Sequence, residues 1–189
     1  LICREPIDQV SQLKGLRVRS SGAPLNVMNM AGATTVQVSL ADTVSLLQRG
    51  GVDCTTGIGD WLKTFGYGDF AKNVTDFSLG VSAPILGMII NHDVWDGFTK
   101  EQKEAHLEAI VHLSAAHTIN NFIIKTQKTM EDQIANNGVK MIEPKNPEEW
   151  QALMDNFIKE QRTIGIDFAK GFGVENPEEF LDAYDAALV

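Results

Sequence analysis

Arg19 is the first residue whose type and setting suggest chemistry. It closes Leu16-Arg17-Val18-Arg19, whose alternation is that of a strand, and it precedes the small-residue loop Ser20-Ser21-Gly22. In open α/β sheets the carboxyl end of a strand opening on such a loop is the usual ligand position. A guanidinium there is a planar, permanently charged fork that fits a carboxylate through two parallel hydrogen bonds. The same residue type also suits a surface strand position paired with a nearby acid. Taken alone, the stretch leaves both readings open.

Other side chains carry weaker signals. Trp61 follows a strand end, the turn Gly57-Ile58-Gly59 and Asp60, on the sheet edge expected for Arg19. It suits either a wall against a ligand's carbon skeleton or a wedge that seats its helix on the sheet. Ser21 and Asn26 could donate hydrogen bonds at the Arg19 loop or cap the following helix. Gly57-Ile58-Gly59 has neither the third glycine of the dinucleotide pattern nor the Lys-Ser/Thr of the P-loop, which favours a tight turn. His106, His112 and His117 are spaced by six and five, so they do not stack on one helix face as a metal pair would. Cys54 has no local motif of a nucleophile.

The 189 residues carry a net charge of −9 with 43% hydrophobic residues, enough for a core in one domain or two small lobes. The acidic balance and the lack of any basic block argue against nucleic acid as a partner, so an anionic ligand needs a local cation. No run of eighteen apolar residues exists. The chain starts at Leu1-Ile2-Cys3 without Met, a charged leader or a signal peptide, which suggests an internal starting point. Cys3 and Cys54 are too few for a disulfide framework, and each lies in or beside a predicted strand. Buried free thiols are therefore expected.

Short strands and helices alternate over residues 1–83, which implies a largely parallel α/β sheet with crossover connections. Strands are predicted at 16–20, 36–38 and 52–56. Helices are predicted from Pro24 to near Gly32, from a cap near Ser39 to Gly50-Gly51, and over 60–65. Val74–Leu79 and Pro84–Asn91 suggest one long strand path, interrupted at Gly80–Pro84, that crosses between lobes. Thr99-Lys100-Glu101-Gln102 is a capping box opening a helical pattern that runs to Asn136-Asn137-Gly138, about 57 Å if continuous. A short strand follows at 139–142. Asn146-Pro147-Glu148-Glu149 and Asn176-Pro177-Glu178-Glu179 are twin helix starts with Asn as the cap.

Several motifs in order resemble one family. Pro6-Ile7, Leu13-Lys14-Gly15-Leu16-Arg17-Val18-Arg19, Gly32-Ala33 and Leu47-Gln48-Arg49-Gly50-Gly51-Val52-Asp53 are similar to the DctP-type substrate-binding proteins of TRAP transporters. Asn91, Trp95 and the Thr99 helix start fit the same family. The resemblance implies a bilobed, type II periplasmic binding protein that closes on a small organic acid and delivers it to integral-membrane permease subunits. It implies no enzyme activity, no cofactor, no metal and a periplasmic location. It makes Arg19 the carboxylate-binding arginine, with Ser21, Gly22, Ala23, Leu40, Thr56, Gly57 and Trp61 lining the ligand.

The resemblance also suggests a division of the chain. Residues 1–83 and 124–170 would form a C-terminal-type lobe. Residues 84–123 would contribute to the N-terminal lobe and hinge, and 171–189 would be a C-terminal helix. Most of the N-terminal lobe, and a second ligand arginine, would lie upstream. Some members have Asn-Pro after Val-Asp-Gly. Here Val52-Asp53-Cys54-Thr55-Thr56-Gly57-Ile58 stands instead, which puts an amide contact to the ligand in question. Two alternatives compete: the ligand-sensing domain of a receptor or regulator, and a small α/β enzyme using Cys54 or Asp53.

Overall fold

The computed structural model describes residues 1–78 and 89–187. Six short strands form one sheet: β1 (Ile2–Cys3), β2 (Arg17–Arg19), β3 (Thr34–Val36), β4 (Cys54–Thr55), β5 (Asn73–Thr75) and β6 (Lys140–Ile142). Their spatial order is β3-β2-β4-β1-β5-β6. β2 runs parallel to both β3 and β4, and β5 runs parallel to β6. β1 is the exception to the parallel expectation, since it lies antiparallel between β4 and β5.

Helices cover both faces, as a mostly parallel sheet requires. On one face α1 (Ala23–Met30) and α7 (Pro147–Gly171) bury Val18, Val27, Met28, Trp150, Leu153 and Phe157. On the other, α2 (Leu40–Arg49), α3 (Trp61–Thr64) and α6 (Thr126–Asn136) enclose Ile2, Leu47, Leu62, Tyr67 and Val74. The ends of α2 fall where the sequence places them. Ser39 Oγ accepts from the Asp42 N–H at 3.1 Å, and Gly50 takes the left-handed stop at φ 71°. β3 lies two residues before its predicted position. Its pairing is set by the ladder to β2, in which Arg17, Val18 and Arg19 face Thr34, Thr35 and Val36.

The helical pattern from Thr99 is continuous to Asn136, in three parts. α5 (Lys100–His117) opens on the predicted capping box, with reciprocal bonds between Thr99 and Gln102. A π-helical stretch follows over Thr118–Lys125, and α6 completes the path. α4 (His92–Asp96) precedes it, and α8 (Pro177–Ala187) follows α7. Asn146 takes a left-handed conformation at φ 49° and makes no side-chain bond to the helix backbone. Its amide donates instead to Glu149 Oε1, so the predicted Asn cap is not formed. Of the predicted strand path, only β5 is seen. Gly80–Pro84 and most of Pro84–Asn91 lie outside the described residues. No helix among the described residues is long and apolar enough to cross a membrane.

The expectation of free thiols is wrong. Cys3 and Cys54 face each other across the antiparallel β1–β4 pair and form a disulfide. Direct opposition brings their Cα atoms to 4.1 Å, a close approach that allows the bond and that local sequence does not reveal. The bridge closes a loop spanning 51 positions and pins the sole antiparallel strand of the described sheet to its centre. Replacing both cysteines by serine should therefore lower unfolding free energy by about 2–4 kcal/mol. Denaturant titration checks this. A midpoint equal to that of the wild type would contradict a stabilising role.

Candidate functional site

The register places Arg19 in a single row across the sheet. Arg19 pairs with Val36 on one side and Thr55 on the other, Thr55 pairs with Ile2, and Ile2 with Val74. Side chains in one row share a face, here the face covered by α2, α3 and α6. Arg17, two residues earlier, is half-exposed and does what a surface arginine does. Its Nη2 and Nε donate to Asp53 Oδ1 and Oδ2 at 2.7 and 3.1 Å. Burial pushes the Asp53 carboxyl up, but the Arg17 hydrogen bonds and charge hold it below the ordinary range.

Arg19 differs in every respect. It is 5% exposed, and its Nε and Nη2 donate to the Val38 carbonyl at 3.2 and 3.0 Å. Both contacts use one edge of the guanidinium, which leaves the outer Nη1–Nη2 edge free of this carbonyl. Among the described residues no carboxylate pairs with it. A buried permanent charge with a single neutral partner is costly unless a counter-charge is supplied.

Three strand ends meet around it. The Thr56 N–H donates to the Arg19 carbonyl and the Ser20 N–H to the Val36 carbonyl, while the Ser20 and Thr56 hydroxyls bond at 2.8 Å. Ser21 and Gly22 are exposed at the loop, and neither hydroxyl nor amide caps α1. Gly22 has φ 63° and ψ −148°, a conformation available essentially only to glycine. Ala23 turns its methyl toward the α1–α7 core, so only its backbone faces the loop. Gly57 lies under Trp61, where an added Cβ would come 2.3 Å from Trp61 Cε3. Trp61 is half-buried and meets Phe65 and Tyr67 edge to face, with centroids 5.9 and 6.4 Å away.

Tyr67, absent from the site expected from sequence, joins these parts. Its hydroxyl donates to the Leu40 carbonyl at 2.6 Å, its ring stacks on Phe65, and it lies within electrostatic reach of Arg19. Burial raises its phenol above the ordinary 10.0, against opposing pulls from Thr43 and the Arg19 charge. Arg19, Leu40, Thr56, Gly57 and Trp61 thus gather at one sheet edge, with Ser21 and Gly22 beside them. A Tyr directly after Gly66, at the end of the short helix, was the available signal.

Asp60 is likewise absent from the site expected from sequence. The residue is 7% exposed, and its carboxylate accepts from Thr64 Oγ1 at 2.7 Å, Lys125 Nζ at 3.1 Å and Thr129 Oγ1 at 3.3 Å. Burial pushes its carboxyl up, and these three donors more than offset that, holding it below 3.8. The enzyme alternative loses its residues: Cys54 is bonded to Cys3 and presents no thiolate, and Asp53 is occupied by Arg17. Among the described residues no cluster of His, Cys, Asp or Glu is arranged to hold a metal. His92 faces Asp96, and His106 bonds the Gln102 carbonyl on its own helix.

A mostly parallel sheet with helices on both faces and one buried cation at the carboxyl ends of its strands has the chemistry to hold an anion there. A family model described as bacterial extracellular solute-binding protein, family 7 (DctP), matches residues 3–163, and the chain belongs to this family. No curated protein matches the sequence. Solved structures share the fold. A TRAP periplasmic solute binding protein from Sulfitobacter sp. NAS-14.1 with bound beta-D-galacturonate superposes with a TM-score of 0.72 at 15% identity, over 89% of this chain and 56% of that one. One from Desulfovibrio salexigens DSM2638 in an open complex gives 0.73 at 19%, over 97% and 56%. One from Shewanella oneidensis with bound succinate gives 0.73 at 15%, over 88% and 55%. The chain therefore spans little more than half the length of these relatives.

Two outcomes follow from the geometry. The stability supplied by Asp60 is complete above 3.8 and is lost as pH falls through its lower folded value. Asp60→Asn should thus be less stable than wild type at pH 7, with the difference closing as the solution is acidified. Chemical denaturation across pH measures it, and a gap independent of pH would contradict the depressed carboxyl. Gly57→Ala should displace the Trp61 ring and shift the tryptophan emission. An unchanged spectrum would contradict the packing of Trp61 on Gly57.

Proposed function

We propose that this protein is a solute-binding component of a TRAP transporter that captures a small organic acid in the periplasm and delivers it to integral-membrane permease subunits. Arg19 is the anchor for the ligand carboxylate. Ser21, Gly22, Leu40, Thr56, Gly57 and Trp61 shape the remaining surface, with Ala23 contributing its backbone. The observation that carries this reading is the burial of Arg19 without a carboxylate partner among the described residues. An arriving carboxylate would supply the missing counter-charge on the outer guanidinium edge.

Three further points support it. Two of the solved relatives named above hold galacturonate or succinate, each of which presents a carboxylate. The Cys3–Cys54 disulfide suits an oxidising compartment such as the periplasm. Ser21, Gly22 and Gly57 stand exposed at the strand ends beside Arg19, a surface a second lobe would close over. The mechanism is binding and hinge closure without covalent chemistry. In this scheme residues 1–83 and 124–170 form one lobe, 84–123 belong with the other lobe and the hinge, and 171–189 form the C-terminal helix.

Calorimetric titration with D-glucuronate, D-galacturonate, succinate and 2-oxoacids tests the proposal. At least one acid should bind, and Arg19→Ala should weaken it by about thirtyfold or more, the equivalent of ~2 kcal/mol. Equal affinity in wild type and Arg19→Ala would refute the anchor.

A further inference from the structure

The long helix meets the ligand edge at the Gly57–Trp61 turn. Asp60 directly precedes Trp61, and two of its three donors, Lys125 and Thr129, come from that helix. Lys125 is the last residue of the π-helical stretch, and Thr129 lies one turn further on. The adjoining Gly59 is packed against the same surface. A Cβ there would come 2.5 Å from Met130 Cγ and Sδ, and 3.3 Å from Thr126 Cγ2. The turn from Gly57 to Trp61 is therefore seated on the start of α6 by contact and by charge together. Before the π stretch the helix is different in kind. α5 has no buried residue, and Leu107, Val111 and Leu113 stand exposed on it.

We propose that Asp60 and Lys125 form a positioning latch that couples the long helix to the Gly57–Trp61 wall of the ligand edge. The proposal rests on the reading of that edge as an organic-acid site. π-helical turns in otherwise α-helical segments are rare and concentrate at functional positions. Here the stretch ends on Lys125, whose ammonium bridges to Asp60 by charge. The pair also differs from an ordinary surface ion pair, because its carboxylate end is buried. Removing the ammonium leaves a buried anion with two hydroxyl donors, and the wall must then shift or take up water. Coupling is reciprocal: a ligand that presses on Trp61 strengthens the latch as much as the latch strengthens binding.

Binding of D-glucuronate and succinate is compared for wild type, Lys125→Met, Lys125→Arg, Asp60→Asn and the double variant Asp60→Asn/Lys125→Met, with melting temperatures alongside. Lys125→Met should weaken binding about fivefold or more while Lys125→Arg restores it, and the double variant should bind no more weakly than Asp60→Asn alone. If Arg19→Ala abolishes binding but Lys125→Met leaves it unchanged, the latch is overturned and the acid site stands. Hydrogen exchange on the unliganded proteins decides the latch whatever the probes do. Lys125→Met should speed exchange at amides 57–65, and unchanged rates there overturn it.

Discussion

A buried guanidinium has to be held, oriented and neutralised, and the architecture around Arg19 answers the first two needs. Its place in the Val36–Arg19–Thr55–Ile2–Val74 row sends the side chain to the face covered by α2, α3 and α6. The Val38 carbonyl fixes one edge of the fork, and Tyr67 pins Leu40, two residues further along the same connection. Among the described residues no acid supplies the third need. Arg17, on the same strand, shows the contrast. It is half-exposed and already closed on Asp53, so it has no use for an external anion.

The rest of the fold serves to bring three strand ends to this point. β2, β3 and β4 run in parallel, so their carboxyl ends share an edge, and the loops that follow them carry Ser21–Gly22, Leu40 and Thr56–Trp61. The disulfide ties β4 to β1 immediately before Thr55. It thereby braces the central strand at the residue that precedes the loop. Glycine is needed at two positions for different reasons: Gly22 for its backbone angles, and Gly57 because the Trp61 ring occupies the space of a side chain.

Local signals made much of this visible in the sequence. The strand of Arg17–Arg19, the Ser39 cap and Gly50 stop of α2, and the Thr99 capping box depend on neighbours within a few residues, and they appear where expected. Apart from the Asn146 cap, lost to a residue three positions on, the misses are non-local. The Cys3–Cys54 bond needs an antiparallel strand inserted into an otherwise parallel sheet, which no alternation pattern announces. The position of β3 follows from register against β2 rather than from its own β-branched residues. Val38 contributes a backbone carbonyl, to which residue identity is irrelevant. Asp60 carries no local signal of a buried acid. Its burial comes from Lys125 and Thr129, more than sixty positions away, and Asn146 abandoned its cap for Glu149.

Membership of the DctP family and the shared fold narrow what the edge around Arg19 does, and the carboxylate anchor is the claim on which the functional account turns. A crystal structure with the tightest-binding acid of the panel tests it most directly. The account predicts a ligand carboxylate with oxygens about 2.7–2.9 Å from the outer nitrogens of Arg19, the Val38 contacts being kept. Ligand density away from Arg19, or a carboxylate of the protein's own seated on that guanidinium, would contradict it.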